Sequence, residues 1–559
     1  MRKMTGAQAM AQMLEAYGVT NIFHVPAILR RTMVEIEATT SIRRIRTHGE
    51  KAAAYMADGY ARASRRPGIC MAQTVGGLNL AAGLRDAFLA HSPLIAMTGG
   101  RDPDTKFRKV YQQVDDVPAF EGVTKFNATV DSVERFPDML RQAFRTAVTG
   151  APGPVHLQFR GNEGQIDQEE AEMDTTVEPL YSSVPPFRPE PDAHSVTKAV
   201  EALQSAARPV IVAGGGVRWS EAGEALVRLA EKLQIPVATS LNGKDTIAAP
   251  HSLSVGVVGT YSRGSANRVV GEADLVCYVG TETGGMTTHF WKVPKLGTRT
   301  IQIDIDPESL GRNYVPDVAI LGDARIVLER MLKEANGDTA ASRVSWVGSA
   351  QAHVKSWYNQ YEPLLTSDAE PIRPERMCHE MSKSLPDDAF VVVDTGHAGM
   401  WMGGMYDLRS PSQSYVRCAG HLGWAFPAAL GAQCGVPDRP VVCFTGDGGF
   451  WYHIGEIETA VRWNIPAVIV VNNNHSGNQS KVGYDQVYGG KQTEKARELW
   501  VWTDVRIVDV ANCIGALGIR VEKPSELAPA IEQGIASGRP TIIDVVTDID
   551  AEAPPAVVV

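Results

Sequence analysis

The sequence contains no run of about 18 consecutive apolar residues, the length that a helix needs to cross a membrane. Its first residues, MRKMTGAQAMAQMLEAYGV, also lack the continuous apolar stretch of a signal peptide. They predict instead a helix that begins after Thr5 and ends before Gly18. These absences predict a protein with no membrane partner and a cytoplasmic location.

An excess of positive charge is missing as well, because 54 lysines and arginines stand against 64 acidic residues, for a net charge of -10. A non-specific nucleic-acid binder needs a positive field, so no nucleic-acid partner is expected. The 7 cysteines form no CxxC or His-spaced zinc pattern and are expected to be reduced core residues. This composition fits a protein that binds small molecules.

The chain is too long for one hydrophobic core, and its 559 residues are expected to form about three or four domains. Short apolar runs alternate with amphipathic helical stretches, a pattern typical of parallel α/β sheets. We therefore predict an α/β protein with three consecutive doubly wound parallel-sheet domains. Their predicted bounds are residues 1–165, 193–340 and 372–545, followed by a C-terminal tail or lid at 546–559.

Two predicted strands of the last domain end in polar residues. The strand in VVCFTGDGGF delivers Asp447 between glycines that let an anion approach the backbone, and the strand in PAVIVV is followed by Asn474, 27 residues after Asp447. One strand–helix–strand unit separates the two, which places both strand ends at one edge of a sheet. Carboxylate and amide oxygens suit Mg²⁺, so the pattern predicts a metal and phosphate site, with two unrelated turns as the alternative.

This spacing of GDG, about 25 residues and then NN resembles the signature of thiamine-diphosphate enzymes. The resemblance implies thiamine diphosphate and Mg²⁺ as cofactors, and pyrimidine-binding, middle Rossmann-like and diphosphate-binding domains in that order. It assigns Asp447, Asn474 and the carbonyl of Ser476 as metal ligands. The glycines of the motif join the cofactor-binding residues, namely Gly446, Gly448 and Gly449.

Thiamine catalysis also needs a carboxylate against the aminopyrimidine, where it favours the tautomer that deprotonates C2 of the thiazolium. In the family this glutamate opens a helix after the second strand of the first domain, and IRTHGEKAAAYMADGYAR places Glu50 there. Glu50 alone also suits an ordinary acid at a helix N-terminus. Beside the predicted metal pair, it is assigned as the catalytic glutamate.

Further segments extend the resemblance over nearly the whole chain. VVVDTGHAGMW resembles a segment that lines the diphosphate, and AGHLGWAFPAALGA one that bends the cofactor into its V shape. VYQQVDDVPAF resembles a loop that brings a polar side chain to the substrate. For His397 and Leu422 simple core packing is the alternative, and for Gln112 the alternative is a solvated loop residue. The predicted site residues are Asp394, Gly396 and His397 at the diphosphate, His421 and Leu422 at the thiazolium, and Gln112 at the substrate.

Three segments depart from the family pattern. HVPA at 24–27 replaces the usual GVPG and AQTVG at 72–76 replaces TSGPG, which makes a standard pyruvate enzyme a weaker expectation. In the middle domain Asp304 suits a nucleotide ribose, but Glu282 replaces the arginine of relatives that hold FAD or ADP. ADP is therefore only a doubtful cofactor of the middle domain.

The run GEIETAVRWNIPAVIVVNNNH resembles oxalyl-CoA decarboxylases and 2-hydroxyacyl-CoA lyases, whereas DTGHAGMW resembles acetolactate synthases more closely. The preferred prediction is a lyase that cleaves a 2-hydroxyacyl-CoA, with 2-hydroxyisobutyryl-CoA as a candidate, to formyl-CoA and a ketone or aldehyde. Glu494 is the candidate base, with a solvated helix face as its alternative. The other hypotheses are an acetolactate-synthase-like carboligase, a 2-oxoacid or oxalyl-CoA decarboxylase, and a non-catalytic cofactor-binding relative. The resemblance also implies a homodimer at least, and a homotetramer by expectation.

Overall fold

The computed structural model describes residues 2–338 and 341–558. In this part of the chain, three sheets of six parallel strands follow one another, each flanked by helices. The prediction of three consecutive α/β units is thus confirmed. The described helices include none that is long and apolar enough to span a membrane, and all seven cysteines are free thiols.

The first sheet has the order β3-β2-β4-β5-β7-β6. Its flanking helices begin with α1, where Thr5 and Gln8 form the capping box that starts the predicted N-terminal helix. The strands of this part of the chain are β1 (Arg2–Thr5), β2 (Asn21–His24), β3 (Arg43–Arg46), β4 (Gly68–Ala72), β5 (Leu94–Gly99), β6 (Phe126–Val130), β7 (Val155–Phe159) and β8 (Glu170–Met173). The helices are α1 (Gly6–Ala16), α2 (Arg30–Thr39), α3 (Glu50–Ser64), α4 (Gly77–Leu89), α5 (Pro118–Glu121) and α6 (Phe136–Val148).

The stretch from Glu163 to Asp192, which joins the first domain to the middle one, does more than connect them. Its residues 170–173 form β8, which pairs antiparallel with β1. Buried and exposed residues alternate along β8, so its inner face packs on the first domain even though the segment is acidic.

The middle sheet has the order β11-β10-β9-β12-β13-β14. Its strands are β9 (Pro209–Ala213), β10 (Val237–Thr239), β11 (Ser254–Val257), β12 (Leu275–Val279), β13 (Arg299–Asp304) and β14 (Val318–Leu321). The helices here are α7 (Ala193–Ser205), α8 (Gly215–Trp219), α9 (Gly223–Leu233), α10 (Gly264–Glu272), α11 (Gly285–Thr288), α12 (Ala324–Glu334) and α13 (Val344–Leu365).

The third sheet has the order β16-β15-β17-β18-β20-β19. Its strands are β15 (Phe390–Val393), β16 (Ser414–Arg417), β17 (Val441–Gly446), β18 (Val468–Asn473), β19 (Leu517–Val521) and β20 (Thr541–Val546). The helices are α14 (Pro374–Ser384), α15 (His397–Gly404), α16 (Ala425–Gly435), α17 (Asp447–Trp451), α18 (Glu456–Arg462), α19 (Asn478–Val487), α20 (Ile507–Ile514) and α21 (Leu527–Ser537).

Helices α3 and α16 join the first domain to the third. A Cβ on Gly59 would lie 1.9 Å from the carbonyl oxygen of Ala428, and one on Gly431 would lie 1.8 Å from that of Met56. Only glycine permits backbones to approach this closely. The contact fixes the start of α3, which carries Glu50, relative to the third domain.

The C-terminal segment, predicted as a tail or lid, lies against the protein surface. The side-chain amide of Asn478 donates to the carbonyl of Ile549 at 2.7 Å, and that of Asn267 donates to the carbonyl of Val557 at 2.9 Å. Ala551 and Ala553 are buried. The segment thereby connects the third domain to the middle one.

Candidate active site

The predicted metal pair lies at two neighbouring strand ends. Strands β17 and β18 are adjacent and parallel, with Gly446 paired to Asn472. Asp447 follows Gly446 and begins α17, while Asn474 comes two residues after Asn472. The two side chains therefore start from the same edge of the third sheet.

Asp447 is a buried carboxylate, 2% exposed. Its Oδ1 accepts from the backbone N–H of Gly448 at 3.0 Å, and its Oδ2 accepts from Nε1 of Trp502 at 3.0 Å. Burial raises the pKa of Asp447 to about 7, although both hydrogen bonds lower it. Among the described residues no cationic side chain pairs with this carboxylate, and a buried carboxylate without such a partner is suited to a cation.

Asn474 supplies a second buried oxygen. Its Oδ1 accepts from the backbone N–H of Ser476 at 3.1 Å and from the Ser476 hydroxyl at 3.0 Å, and that hydroxyl also contacts the side chain of Asn478. Nowhere in the described ranges do three His, Cys, Asp or Glu side chains group around a metal position. The donor set is thus one carboxylate with neutral oxygens, which suits Mg²⁺ that also takes phosphate oxygens and water.

The three glycines of the motif have different roles. A Cβ on Gly446 would meet nothing within 4 Å, so its backbone is open to a ligand. A Cβ on Gly448 would lie 3.0 Å from the ring of Trp502, and one on Gly449 would lie 2.8 Å from the Thr445 hydroxyl. Packing, rather than anion approach alone, therefore requires glycine at the last two positions.

Asp394, predicted at the diphosphate, comes directly after β15. It is fully buried, and its carboxylate accepts from the backbone N–H groups of Thr395 at 2.8 Å and Gly423 at 3.1 Å, and from the Thr445 hydroxyl at 3.1 Å. Burial raises its pKa to about 6. Asp394 is enclosed by the protein and holds the turn before α16.

Gly396 and His397 begin α15 beside this turn. Gly396 has a φ of +66°, a conformation that favours glycine, and His397 is the first residue of the helix. Burial lowers the pKa of His397 to about 4. A neutral imidazole at a helix N-terminus can donate a hydrogen bond from its one N–H group to a phosphate oxygen without adding charge.

The segment with His421 and Leu422 is held by the first domain. Asp86 of α4 accepts from the backbone N–H groups of Ala419 at 3.0 Å and His421 at 3.2 Å. The Leu422 side chain is left 39% exposed, and Nδ1 of His421 is buried without a partner in the described part of the structure. The exposed Leu422 side chain is therefore available to a ligand.

Glu50 is the first residue of α3. Its Oε2 accepts from the side-chain amide of Asn79 at 3.2 Å, and a Cβ on Gly76 would lie 2.5 Å from its Oε1. Its neighbours face the third domain: the backbone N–H of His48 donates to Glu456 at 3.0 Å, and Lys51 lies over the ring of Tyr452. Among the described residues no hydrogen bond or ion pair joins Glu50 to the metal pair within one chain.

Gln112 is oriented by two amides that sequence reasoning did not single out. Its Oε1 accepts from Nε2 of Gln73 at 3.3 Å and from Nδ2 of Asn162 at 3.2 Å. Its φ of +63° is unusual for a residue with a side chain. Since the carbonyl oxygen is occupied, the Gln112 N–H₂ group is the part left to bind a substrate.

Glu494, the predicted base, begins a short 3₁₀ helix over Glu494–Leu499 and is exposed. No hydrogen bond or ion pair in the described residues ties it to the other site residues. Its catalytic role stays a prediction.

Comparisons with known proteins agree with this arrangement. Models of thiamine pyrophosphate enzymes match in three parts: the N-terminal TPP binding domain at residues 4–119, the central domain at 196–331 and the C-terminal TPP binding domain at 394–545. A probable acetolactate synthase large subunit of Methanococcus aeolicus is 31% identical, over 98% of this chain and 92% of the relative. The chain belongs to the thiamine-pyrophosphate enzyme family of the acetolactate synthase and glyoxylate carboligase type.

Two further relatives of this thiamine enzyme are a glyoxylate carboligase and an acetolactate synthase. A glyoxylate carboligase of Escherichia coli O157:H7 is 30% identical over 99% of this chain and 94% of its own length. The acetolactate synthase isozyme 3 large subunit of Escherichia coli K12 is 27% identical over 98% of this chain and 96% of its own length. These relatives favour the carboligase alternative over the predicted 2-hydroxyacyl-CoA lyase.

The prediction of ADP in the middle domain gains no support. A cavity of about 320 Å³ does lie at the ends of the middle strands of this thiamine enzyme. However, its lining includes four carboxylates, Glu282, Asp304, Asp306 and Asp323, beside the cationic Arg417, and Glu282 pairs with His91 at 3.3 Å and with Arg312 at 3.9 Å. An excess of carboxylates over cationic side chains in the lining disfavours the diphosphate of a nucleotide.

Proposed function

We propose that this protein is a carboligase that uses thiamine diphosphate and Mg²⁺ to join two short 2-oxo acids with loss of one CO₂. The observation that carries the proposal is the similarity, along 98–99% of the chain, to proteins named acetolactate synthase and glyoxylate carboligase. That similarity includes every segment with a predicted site residue. The predicted 2-hydroxyacyl-CoA lyase is the competing activity.

The reaction can be written in balanced form. One 2-oxo acid loses its carboxyl group as CO₂, and its carbonyl carbon forms a bond to the carbonyl carbon of the second acid. The second carbonyl oxygen takes up the proton that replaces the lost CO₂, and the product is a 2-hydroxy-3-oxo acid. Thiamine diphosphate supplies the electron sink that such a carbon–carbon cleavage requires.

Five of the predicted site residues have a task in this proposal. Asp447, Asn474 and Ser476 hold the metal and, through it, the diphosphate. Glu50 exchanges a proton with the aminopyrimidine, because a carboxylate at that position can hold the hydrogen of the ring nitrogen. Gln112 donates its N–H₂ group to a substrate oxygen, supported by the two amides that occupy its carbonyl.

The activity is tested with purified protein, thiamine diphosphate and Mg²⁺, supplied separately with pyruvate, glyoxylate, 2-oxobutyrate and 2-hydroxyisobutyryl-CoA. We expect two molecules of 2-oxo acid to be consumed for each CO₂ released, with the product identified by ¹³C NMR. Release of formyl-CoA without 2-oxo-acid turnover would instead establish the lyase. A wild type that is no more active than Glu50→Gln on all of these substrates would indicate a non-catalytic relative.

We also propose that the cofactor lies between two copies of this chain. Supporting this, no hydrogen bond or ion pair of the described residues joins Glu50 to the metal pair in one chain, and apolar side chains beside its neighbour Gly76 are exposed, namely Val75 at 53% and Leu78 at 51%. Mixing Glu50→Gln with Asp447→Asn protein tests it, because one of the two sites in a mixed dimer is then intact. Random mixing should restore about a quarter of wild-type activity, whereas a site within one chain would restore none.

A further inference from the structure

Trp502 is a half-buried aromatic residue that no sequence motif of this chain identified. It lies where the chain returns to the metal site after residues 477–500. Ser476 and Val501 form an antiparallel bridge there, the backbone N–H of Trp502 donates to the carbonyl of His475 at 3.0 Å, and that of Gly477 donates to the carbonyl of Trp500 at 2.7 Å. The position of Trp502 is therefore set by the strand end that carries Asn474.

The indole ring covers the two strand ends of the predicted metal site. A Cβ on Gly448 would be 3.0 Å from its Cη2 atom, and one on Gly477 would be 3.4 Å from its Cζ3 atom. Glycine at both positions leaves the space that the ring occupies. The ring thus packs on the turn after β17 and on the turn after β18 together.

The indole N–H of Trp502 also orients the carboxylate of Asp447. It donates to Oδ2 of Asp447 at 3.0 Å, while the backbone N–H of Gly448 donates to Oδ1 at 3.0 Å. Each carboxylate oxygen has two lone pairs, so one on each oxygen stays available for a cation. The two donors fix the rotation of the carboxyl group and therefore the direction of those remaining lone pairs.

We propose that Trp502 is a positioning residue of the cofactor site: it orients the Asp447 carboxylate for the metal and shields the metal and diphosphate from water. Groups that orient metal ligands typically contribute 10–100-fold to metal affinity. Because the inference concerns the metal and the cofactor, it holds whether the substrate is a 2-oxo acid or an acyl-CoA. Its failure is therefore distinguishable from a failure of the proposed function.

The experiment compares the full-length wild type with Trp502→Phe, which keeps a ring but loses the N–H, and with Trp502→Ala, which loses both. Trp291→Phe is the matched control, since Trp291 is a 38% exposed residue of the middle domain. Calorimetry measures the Kd of thiamine diphosphate at fixed Mg²⁺ and the Kd of Mg²⁺ at saturating thiamine diphosphate. We expect Trp502→Phe to weaken Mg²⁺ binding about 10-fold and Trp502→Ala to weaken it further, with Trp291→Phe unchanged.

Two spectroscopic measurements separate positioning from general packing. Loading with thiamine diphosphate and Mg²⁺ should change the tryptophan fluorescence of the wild type and of Trp291→Phe, and this change should be absent from Trp502→Phe. With Mn²⁺ in place of Mg²⁺, the electron paramagnetic resonance spectrum of Trp502→Phe should differ from that of the wild type. If a variant is less stable, the rise in Tm on adding cofactor still reports its affinity.

The proposal is overturned if Trp502→Phe binds Mg²⁺ and thiamine diphosphate within twofold of the wild type. It is also overturned if the fluorescence response persists in that variant, because the ring would then lie away from the bound cofactor. Equal weakening by Trp502→Phe and Trp291→Phe would assign the effect to a general loss of packing, which contradicts a positioning role as well.

Discussion

The contact between Gly76 and Glu50 gives the sharpest test of the predicted catalytic glutamate. In Gly76→Ala, the new Cβ would lie 2.5 Å from Oε1, 2.7 Å from Cγ and 2.8 Å from Cδ of Glu50. Ordinary carbon–carbon contacts lie at about 3.5–4.0 Å. The Glu50 side chain must therefore move by about 1 Å, and its hydrogen bond from Asn79 must lengthen or break.

The expected cost of this displacement is large for catalysis and small for folding. Misplacing a reacting group by 1 Å costs about 100-fold in rate, whereas the half-buried end of a glutamate can rotate away at little cost in stability. We expect the rate of exchange of the cofactor's C2 proton for deuterium to fall about 100-fold in Gly76→Ala. The Kd of thiamine diphosphate should stay within a few-fold of the wild type, because the metal pair lies on a different domain.

The exchange rate is measured by quenched-flow NMR and needs no substrate, so it is independent of the proposed reaction. Gly122→Ala is the control, since a Cβ there would meet nothing within 4 Å. Combining Gly76→Ala with Glu50→Gln should slow exchange no further than Glu50→Gln alone. A catalytic role for Glu50 at this position would be refuted if C2-proton exchange in Gly76→Ala were as fast as in the wild type. It would also be refuted if the double variant lost a further 100-fold in exchange rate relative to Glu50→Gln alone.

Three further predictions concern single residues. Glu50→Gln should reduce C2 exchange and turnover by about 10²–10⁴-fold while calorimetry shows retained cofactor binding, and unchanged turnover would contradict the assignment. Burial raises the pKa of Asp447 to about 7, and a protonated carboxyl cannot ligate the metal. The Mg²⁺-dependent binding of thiamine diphosphate should therefore weaken about tenfold for each pH unit below that value. An affinity that is flat from pH 8 to 5 would argue against Asp447 as a ligand. Ala27 has φ +75°, so Ala27→Gly should raise the free energy of unfolding by about 1 kcal/mol in denaturant titrations, and a lower stability would show that the strain is compensated.

The fold was predictable where local pattern and chain order determine structure. Asp447 and Asn474 were placed together from sequence because consecutive strands of a strand–helix–strand unit usually lie side by side, and β17 and β18 do so. Strand β8 was not predicted, because neither its local sequence pattern nor its place in the chain indicates its partner. It has four residues in an acidic stretch, and its partner β1 lies at the other end of the first domain.

Side-chain partners from distant segments limited the prediction of the site. Asp394 follows a strand, as a ligand-binding residue would, but Gly423 and Thr445 come from other parts of the chain to enclose it. Trp502 belongs to a segment with no regular pattern, and only the bridge between Ser476 and Val501 brings it back to Asp447. No motif spacing in the sequence predicts that the chain returns to the metal site at Trp502.

The turn at 72–76, noted from sequence only as a departure from the family, contacts both Gln112 and Glu50. Gln73 donates to the carbonyl of Gln112 and precedes the 3₁₀ turn Thr74–Gly76, whose last residue makes room for Glu50. If Gln112 contacts the substrate and Glu50 the cofactor, as proposed, a substitution at Gln73 is expected to affect both contacts. Because one short turn carries both, the sequence AQTVG has to position Gln112 and Glu50 together, so the two proposed roles are coupled through this turn.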